Sequence, residues 1–166
     1  KSEGLVLPLS VEENILSLIL DRVSPHGFVN RKMADEEVKQ GIEQLNIKVA
    51  SPMQAVQYLS GGNQQKIVFS KWIKTHPKIL YLHEPTRGVD VQSKLEIYAL
   101  IRRLTAEGVS VVVFTSDILE LIGLSDEIYV MYEGEISGHI AGTEATEEKI
   151  MQMSAKSANK RKQEGQ

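Results

Sequence analysis

Apolar side chains recur at helical spacing through much of the first 75 residues, with polar side chains between them. This pattern predicts helices over about 11–20 and 35–45, and a third that starts just after Ser60-Gly61-Gly62 and runs to about Lys74. The first helix follows Ser10-Val-Glu-Glu13, the spacing of a capping box in which each end satisfies a free backbone donor of the other. We therefore predict that residues 1–75 form a helical subdomain.

From Pro77 onward the pattern changes to short apolar runs at 79–82 and 109–114, with a helical segment over about 91–107 between them. A strand, a helix and a second strand in this order predict a right-handed parallel crossover. Runs without alternation are typical of strands buried on both faces, so we expect helices on each side of the sheet. Residues 76–153 are thus predicted to form part of an α/β core.

The end of the chain predicts a further set of short elements. The spacing Asp117-x-x-Glu120 predicts a capped helix to about 122, and a strand follows at 127–132. Glu133-Gly134 separates that strand from an apolar-containing stretch at 135–140, which indicates a tight hairpin. One more helix is expected over about 146–153, and the polar stretch 154–166 is expected to be disordered.

Composition excludes several classes of protein. The 166 residues carry a net charge of -3 with 25% charged side chains, which does not favour nucleic acid as a partner. The chain has no cysteine, so disulfides, thiolate zinc sites and thiol catalysis are excluded. Its apolar runs are far shorter than the roughly 20 residues of a bilayer-spanning helix. The lack of cysteine fits a reducing compartment, so we expect a cytosolic protein. Because the sequence starts at Lys1 and carries no secretory leader, we expect it to be a fragment.

The most specific motif is Leu59-Ser60-Gly61-Gly62-Asn63-Gln64-Gln65-Lys66, in which small residues precede a helix. A helix start presents unpaired backbone N–H groups and the positive end of the helix dipole to an anion. Glycines allow close approach of phosphate oxygens, and the Ser60 hydroxyl can donate a further hydrogen bond. The alternative is a plain helix cap in which Ser60 satisfies only its own backbone.

A second candidate follows the apolar run at 79–82, where His83-Glu84-Pro85-Thr86 begins. Ligands in open parallel sheets gather at the carboxyl ends of the strands. A carboxylate at that edge could orient or deprotonate a water that attacks a phosphoryl group, so Glu84 is the candidate base. The alternative is a surface glutamate before a turn. Position 87 is Arg, so His83-Glu84 does not begin a zinc-protease helix.

The order and spacing of three segments resemble the ATP-binding cassette ATPases. Leu59 to Lys66, Leu82 to Asp90 and Thr115-Ser116-Asp117 are similar to the signature motif, the Walker B strand with D-loop, and the switch region of that family. Asn63, Thr86-Arg87-Gly88-Val89-Asp90 and Ser116 resemble the second cassette of the double-cassette ATPases that energise monosaccharide import. The resemblance covers residues 1 to about 153. It implies the C-terminal part of a RecA-like P-loop NTPase sheet flanked by helices, preceded by a helical signature-motif subdomain.

The resemblance also implies roles for individual residues. Those implied to contact nucleotide held by an opposite cassette are Ser60, Gly61, Gly62, Asn63, Gln64 and Asp90. Glu84 would be the catalytic base, Ser116 would stand in the switch region, and Asp90 would communicate across the dimer. The implied partners are a second nucleotide-binding cassette, membrane-spanning permease subunits and, indirectly, a periplasmic or extracellular sugar-binding protein. The resemblance also implies that the protein lies at the cytoplasmic face of the membrane. ATP and Mg²⁺ are the implied cofactors.

Three departures from the family pattern change these expectations. No Gly-x-x-x-x-Gly-Lys-Ser/Thr string occurs, so we expect nucleotide to be held mainly by residues outside this chain. His83 stands where the family has an aspartate that helps to hold magnesium, and imidazole is a poor ligand for that hard cation. Ser116 stands where many cassettes have a histidine. We therefore expect slow hydrolysis or none at this site; a non-catalytic regulatory or dimerisation cassette is the alternative, and the sugar cannot be read from the sequence.

Overall fold

The fold is that of a computed structural model, which describes residues 4–25 and 27–164, with side chains up to residue 155. The chain forms two compact units that divide inside a strand, between Val112 and Val113. A helix from the second predicted part, which spans residues 91–106, packs against the helical first part within one unit.

The first unit begins with four helices: α1 (Val11–Leu16), α2 (Leu20–Val23), α3 (Arg31–Gln44) and α4 (Gly61–Ile73). The predicted capping box is present, since Ser10 Oγ accepts from Glu13 N at 3.1 Å and Ser10 N donates to Glu13 Oε2 at 2.8 Å. The predicted first helix is divided into α1 and α2. Helix α3 starts four residues earlier than predicted because the Asn30 side chain accepts a hydrogen bond from Met33 N and caps it.

Helices α1, α3 and α4 pack on one another and bury the apolar faces that the sequence pattern predicted. The buried side chains of this core include Val11, Ile15, Leu16, Val38, Val56, Ile67 and Phe69. One buried charge lies at the edge of this core: Lys74 Nζ is 2.6 Å from Oε2 of the partly exposed Glu37. Glu37 Oε1 in turn lies 3.0 Å from Nη2 of Arg22, which is exposed. Because each of these charges has a partner, the helices can pack without an isolated ion in the core.

The α/β part of the first unit follows, with β1 (Ile79–His83), α5 (Val91–Ala106) and β2 (Ser110–Phe114). Strands β1 and β2 are neighbours in one sheet, and Ser110 N donates to Lys78 O at 2.9 Å. The two strands therefore start side by side and run in the same direction, as predicted. Burial along β1 alternates: Leu80 is buried, whereas Ile79 and Tyr81 are 53% and 66% exposed. Only one face of β1 is covered by the described part of the chain, although its sequence is apolar on both.

The second unit contains α6 (Ile118–Leu124), β3 (Glu127–Tyr132), β4 (Glu135–Ala141) and α7 (Glu147–Glu164). Strands β3 and β4 pair antiparallel through the predicted turn, where Glu133 and Gly134 both have positive φ, 46° and 84°. That geometry fits the right-handed twist of a two-residue hairpin. The core of this unit consists of Ile128, Val130, Ile140 and Ile150.

Helix α7 corrects the prediction of a disordered tail over 154–166, because it continues to Glu164; Gly165 and Gln166 lie outside the described residues. The stretch after 153 is poor in apolar residues, which led to the prediction of disorder, but it is rich in alanine, lysine, arginine and glutamine, which favour helix. Low apolar content predicts the absence of packing rather than the absence of a helix. Within residues 4–25 and 27–164, no helix is both long and apolar enough to span a membrane.

Candidate functional site

The turn that carries the Ser-Gly-Gly motif lies at the surface of the first unit. Ser60 is exposed and is the N-cap of α4, with φ −61° and ψ 154°. Its Oγ accepts from Asn63 Nδ2 at 2.9 Å and from Asn63 N at 3.4 Å. The plain cap that the sequence left open is therefore present, and it coexists with an exposed hydroxyl at the start of a 13-residue helix. A capping serine and an anion-facing serine are compatible at this position.

The next two side chains of the motif turn toward the protein. Asn63 Oδ1 accepts from Lys48 N at 2.8 Å. Gln64 Nε2 donates to Val56 O at 3.1 Å and to Leu59 O at 3.2 Å. Both side chains thus bind backbone groups of the protein itself. The sequence predicted them as nucleotide contacts, and the structure places them where they fix the shape of the turn.

Gly62 lies directly against the first turn of α5. A Cβ atom at Gly62 would lie 2.2 Å from Ser93 Oγ, 2.9 Å from Ser93 Cβ and 3.2 Å from Asp90 Oδ2. No side chain fits in that space without moving α5. The structure therefore brings the predicted signature-motif and D-loop residues together, and it gives Gly62 a packing role that sequence reasoning did not assign.

Asp90 is the N-cap of α5 and is exposed at the same edge. Its carboxylate accepts from Ser93 N at 2.9 Å and from Ser93 Oγ at 2.7 Å. The hydrogen bond from the Ser93 backbone N–H, followed by that from its hydroxyl, lowers the pKa of Asp90 below its ordinary value. Asp90 therefore carries a negative charge at neutral pH, beside the glycines of the motif.

A second link joins α4 to α5 one helical turn further along, where the Lys66 ammonium pairs with the Glu96 carboxylate. Lys66 is 5% exposed, and its Nζ also donates to Asn46 O at 3.0 Å. The hydrogen bond from Lys66 lowers the pKa of Glu96, outweighing partial desolvation. Sequence reasoning missed this pair; its signal was that position 66 lies four residues after Gly62 and so on the same helix face.

The end of β1 places His83 and Glu84 at the carboxyl edge of the strand, as predicted. His83 is exposed and is the last residue of β1. Glu84 has a φ of 48°, which is uncommon for a residue with a side chain, and its carbonyl accepts from Arg87 N at 3.2 Å. The buried Pro85 and Thr86 hold the turn that follows. Three other non-glycine residues that the structure describes have a positive φ as well, so this backbone conformation does not by itself single out Glu84.

The predicted switch residue Ser116 belongs to the second unit and is exposed there. It precedes Asp117, whose Oδ1 accepts from Glu120 N at 3.0 Å and caps α6. Asp117 N in turn donates to Thr115 Oγ1 at 3.1 Å. The segment from Thr115 to Asp117 is thus a fixed turn between β2 and α6, with Ser116 at its surface.

The side chains that the structure describes do not form a cluster that could hold a metal ion by itself. Among residues 4–25 and 27–155, no group of three or more histidine, aspartate or glutamate side chains could hold a metal ion. His83 supplies a nitrogen where magnesium prefers oxygen ligands. No step of the chemistry is therefore assigned to Mg²⁺ through this chain.

Comparison with curated proteins finds close relatives among sugar import proteins. The chain is 50% identical over 151 residues to the ribose import ATP-binding protein of Bacillus subtilis (strain 168), and this match covers 91% of the chain and 31% of that protein. It is 44% identical over 153 residues to a putative ribose/galactose/methyl galactoside import ATP-binding protein of Geobacillus kaustophilus, covering 92% of the chain and 30% of that protein. The chain thus spans about a third of the length of these relatives. It matches no family model.

Solved structures agree with the fold that the resemblance implied. The chain superposes with a TM-score of 0.71 and 23% identity on the ATP-binding cassette MJ0796 in a dimeric, post-hydrolysis state bound to ADP and Pi, covering 82% of this chain and 58% of that one. It superposes with a TM-score of 0.63 and 21% identity on the ADP conformation of MJ1267, an ATP-binding cassette of an ABC transporter, covering 88% and 59%. The α/β fold with a parallel sheet and flanking helices is therefore that of ATP-binding cassettes.

Proposed function

From the membership of this chain in the ATP-binding cassette family, we propose that it supplies the signature-motif half of a nucleotide site in the ATPase of a sugar importer. The substrate class rests on relatives described as ribose or ribose/galactose/methyl galactoside import ATP-binding proteins. The complete protein would couple ATP binding and hydrolysis to uptake of a monosaccharide.

One observation carries the proposal: the signature turn and Asp90 meet at an exposed edge. Gly62 packs on the first turn of α5, and both Ser60 and Asp90 are exposed beside that contact. A helix start with exposed backbone N–H groups attracts an anion, and α4 supplies such a start. We propose that Ser60, Gly61 and Gly62 contact the terminal phosphate of an ATP held by a second cassette, and that Asp90 faces the same partner.

Glu84 is proposed as the base that orients the attacking water at the nucleotide bound to this cassette itself. Its position directly after β1, at the carboxyl edge of the strand, supports this role. His83 and Ser116 replace an acidic and a basic group that this chemistry favours. We therefore propose that this site turns over ATP slowly or not at all, and that most hydrolysis takes place at the partner site to which Ser60 belongs.

The proposed partners follow from the same assignment. A second cassette would complete each nucleotide site, and membrane-spanning permease subunits would dock on the helical part of the first unit. A sugar-binding protein would act indirectly, through the permease. The protein would lie at the cytoplasmic face of the membrane as a peripheral subunit, with ATP and Mg²⁺ bound mainly by segments outside this chain.

Phosphate release by the complete ATP-binding protein with its permease tests which of the two nucleotide sites hydrolyses most of the ATP. We expect Glu84→Gln to leave the rate close to that of the wild type, because the partner site carries the turnover. The matched control is Glu107→Gln, the same change at the exposed C-cap of α5. A collapse of the rate with Glu84→Gln alone would show that this site is the catalytic one and would refute the proposal.

A regulatory or dimerisation cassette remains the second candidate, favoured by the histidine at position 83. The two functions differ in ATP binding by the complete protein. Equilibrium binding of ATP together with stimulation of phosphate release by the permease supports the transport ATPase. A complete protein that assembles with its partners but binds no ATP would identify the regulatory function instead.

A further inference from the structure

Hydrogen bonds link Lys48, Asn63 and Ser60 in a short series within the signature turn. In each bond, the chemistry of the groups determines which one is the donor. The series begins at Lys48 N, which donates to the side chain of Asn63 at 2.8 Å. Because a backbone N–H can only donate, the atom of Asn63 that faces it must be the carbonyl oxygen Oδ1. The amide group of Asn63 is therefore oriented, and its nitrogen Nδ2 faces the other way, toward Ser60.

The series ends at the hydroxyl of Ser60. Asn63 Nδ2 donates to Ser60 Oγ at 2.9 Å, and the backbone N–H of Asn63 approaches the same oxygen at 3.4 Å. Both groups can only donate, so Ser60 Oγ acts as the acceptor in both contacts. The hydrogen of the Ser60 hydroxyl must then point away from Asn63. Since Ser60 is exposed, this hydrogen is directed outward from the turn.

We propose that Asn63 is a positioning residue: it orients the Ser60 hydroxyl as an outward-pointing donor for a phosphate oxygen and does not itself contact the nucleotide. The inference rests on the proposed function, in which Ser60 faces the terminal phosphate of ATP. Without the Asn63 side chain, only the longer 3.4 Å contact from the backbone N–H of residue 63 would direct the hydroxyl. With Asn63 the donor is already oriented when the anion arrives.

Asn63→Asp tests whether residue 63 determines the orientation of the Ser60 hydroxyl, because aspartate has nearly the same shape as asparagine. A carboxylate at position 63 still accepts from Lys48 N, but it also accepts from Ser60 and so turns the hydroxyl hydrogen inward. We expect the rate of ATP hydrolysis by the complete protein to fall about ten- to hundredfold, the effect of one hydrogen bond to a charged group. Ser60→Ala, which removes the donor, should produce a loss of similar size.

The double variant Ser60→Ala/Asn63→Asp distinguishes two causes of a loss in Asn63→Asp. One is a reoriented Ser60 hydroxyl, and the other is repulsion between the new carboxylate and ATP. If Asn63 acts through Ser60, the double variant should stay within about threefold of the slower single variant. If the new charge merely repels ATP, the two losses should multiply. A matched charge control is Gln57→Glu, an exposed amide-to-carboxylate change three residues before Ser60, which should leave the rate close to wild type.

Two further measurements exclude a general structural effect. Asp at the third position of α4 interacts favourably with the helix dipole, so the Tm of Asn63→Asp should equal or exceed that of the wild type. Hydrogen exchange of the Lys48 amide should keep the wild-type rate in Asn63→Asp and become faster in Asn63→Ala, which lacks the acceptor.

Multiplicative losses in the double variant, or a wild-type rate in Asn63→Asp, would overturn the role of Asn63. So would an unchanged exchange rate for the Lys48 amide in Asn63→Ala. A complete wild-type protein that neither binds nor hydrolyses ATP would instead overturn the proposed function itself, and this outcome is established before any variant is made.

Discussion

Replacing Gly62 by alanine adds one methyl group at the contact between the signature turn and α5. The added Cβ would lie 2.9 Å from Ser93 Cβ. Two carbon atoms in contact prefer about 3.5–4.0 Å, so the helices must separate by roughly 0.6 Å or more at this point. Ser93 Oγ can rotate away from the new methyl group, but Ser93 Cβ is fixed to the backbone of α5.

The net cost follows from two opposing effects. Overpacking of this kind destabilises by about 1–3 kcal/mol. Replacing a helical glycine by alanine returns at most about 1 kcal/mol, because alanine loses less backbone entropy. An overpacking cost at the middle of its range, about 2 kcal/mol, less a return of at most about 1 kcal/mol gives an expected net loss of about 1–2 kcal/mol. A loss of this size lowers the Tm of a domain of this size by about 2–8 °C.

Urea unfolding of the chain measures this loss directly, because its single tryptophan, Trp72, lies in α4 and reports on the same helix by fluorescence. The matched control is Gly123→Ala in α6, where an added Cβ would meet nothing within 4 Å. A steric rescue is also available: Ser93→Gly removes the fixed Cβ, so the double variant Gly62→Ala/Ser93→Gly should be more stable than the sum of the two single losses.

The reasoning is refuted if Gly62→Ala is as stable as the wild type, since the 2.9 Å approach would then be relieved without cost. It is also refuted if Ser93→Gly and Gly62→Ala add independently, since the two positions would then not be in steric conflict.

Two other substitutions test the structure elsewhere. Gly142→Ala should lower the Tm more than Gly62→Ala does. Its Cβ would lie 1.9 Å from the backbone oxygen of Ser125, which cannot rotate away. A Tm equal to that of Gly123→Ala in thermal unfolding would contradict this prediction. Glu96→Gln should make the free energy of unfolding depend less on pH in the acid range. In the wild type, Lys66 lowers the pKa of Glu96 in the folded state. The resulting stabilisation is present above the unfolded pKa of about 4.3 and is lost as pH falls through the lower folded value. Urea unfolding at pH 7 and at about pH 3 should therefore differ less in the variant than in the wild type, and an equal difference would show that the ion pair does not contribute.

Much of the fold could be predicted because its signals are local. The Ser10–Glu13 capping box, the turn at Glu133-Gly134 and the helix starts at Ser60 and Asp90 depend on residues close in sequence. Local composition also misled once: the stretch after 153 lacks apolar residues and was expected to be disordered, but its helix-forming residues continue α7 to Glu164.

The order of the motifs was sufficient to predict the family. It did not contain the partners of the individual side chains. Asn63 and Gln64 belong to a motif that resembles a nucleotide contact, yet their side chains bond to Lys48 N and to the backbone around Leu59. The partner of an amide side chain depends on which loop lies beside it, and sequence spacing does not contain that information.

The sequence by itself determined which segments become helices and strands, because capping, turn formation and helical spacing act over a few residues. Only the tertiary structure decided which of those segments touch. The Gly62–Ser93 approach and the Lys66–Glu96 ion pair join positions about thirty residues apart, and such contacts depend on how two helices pack rather than on the preferences of either one.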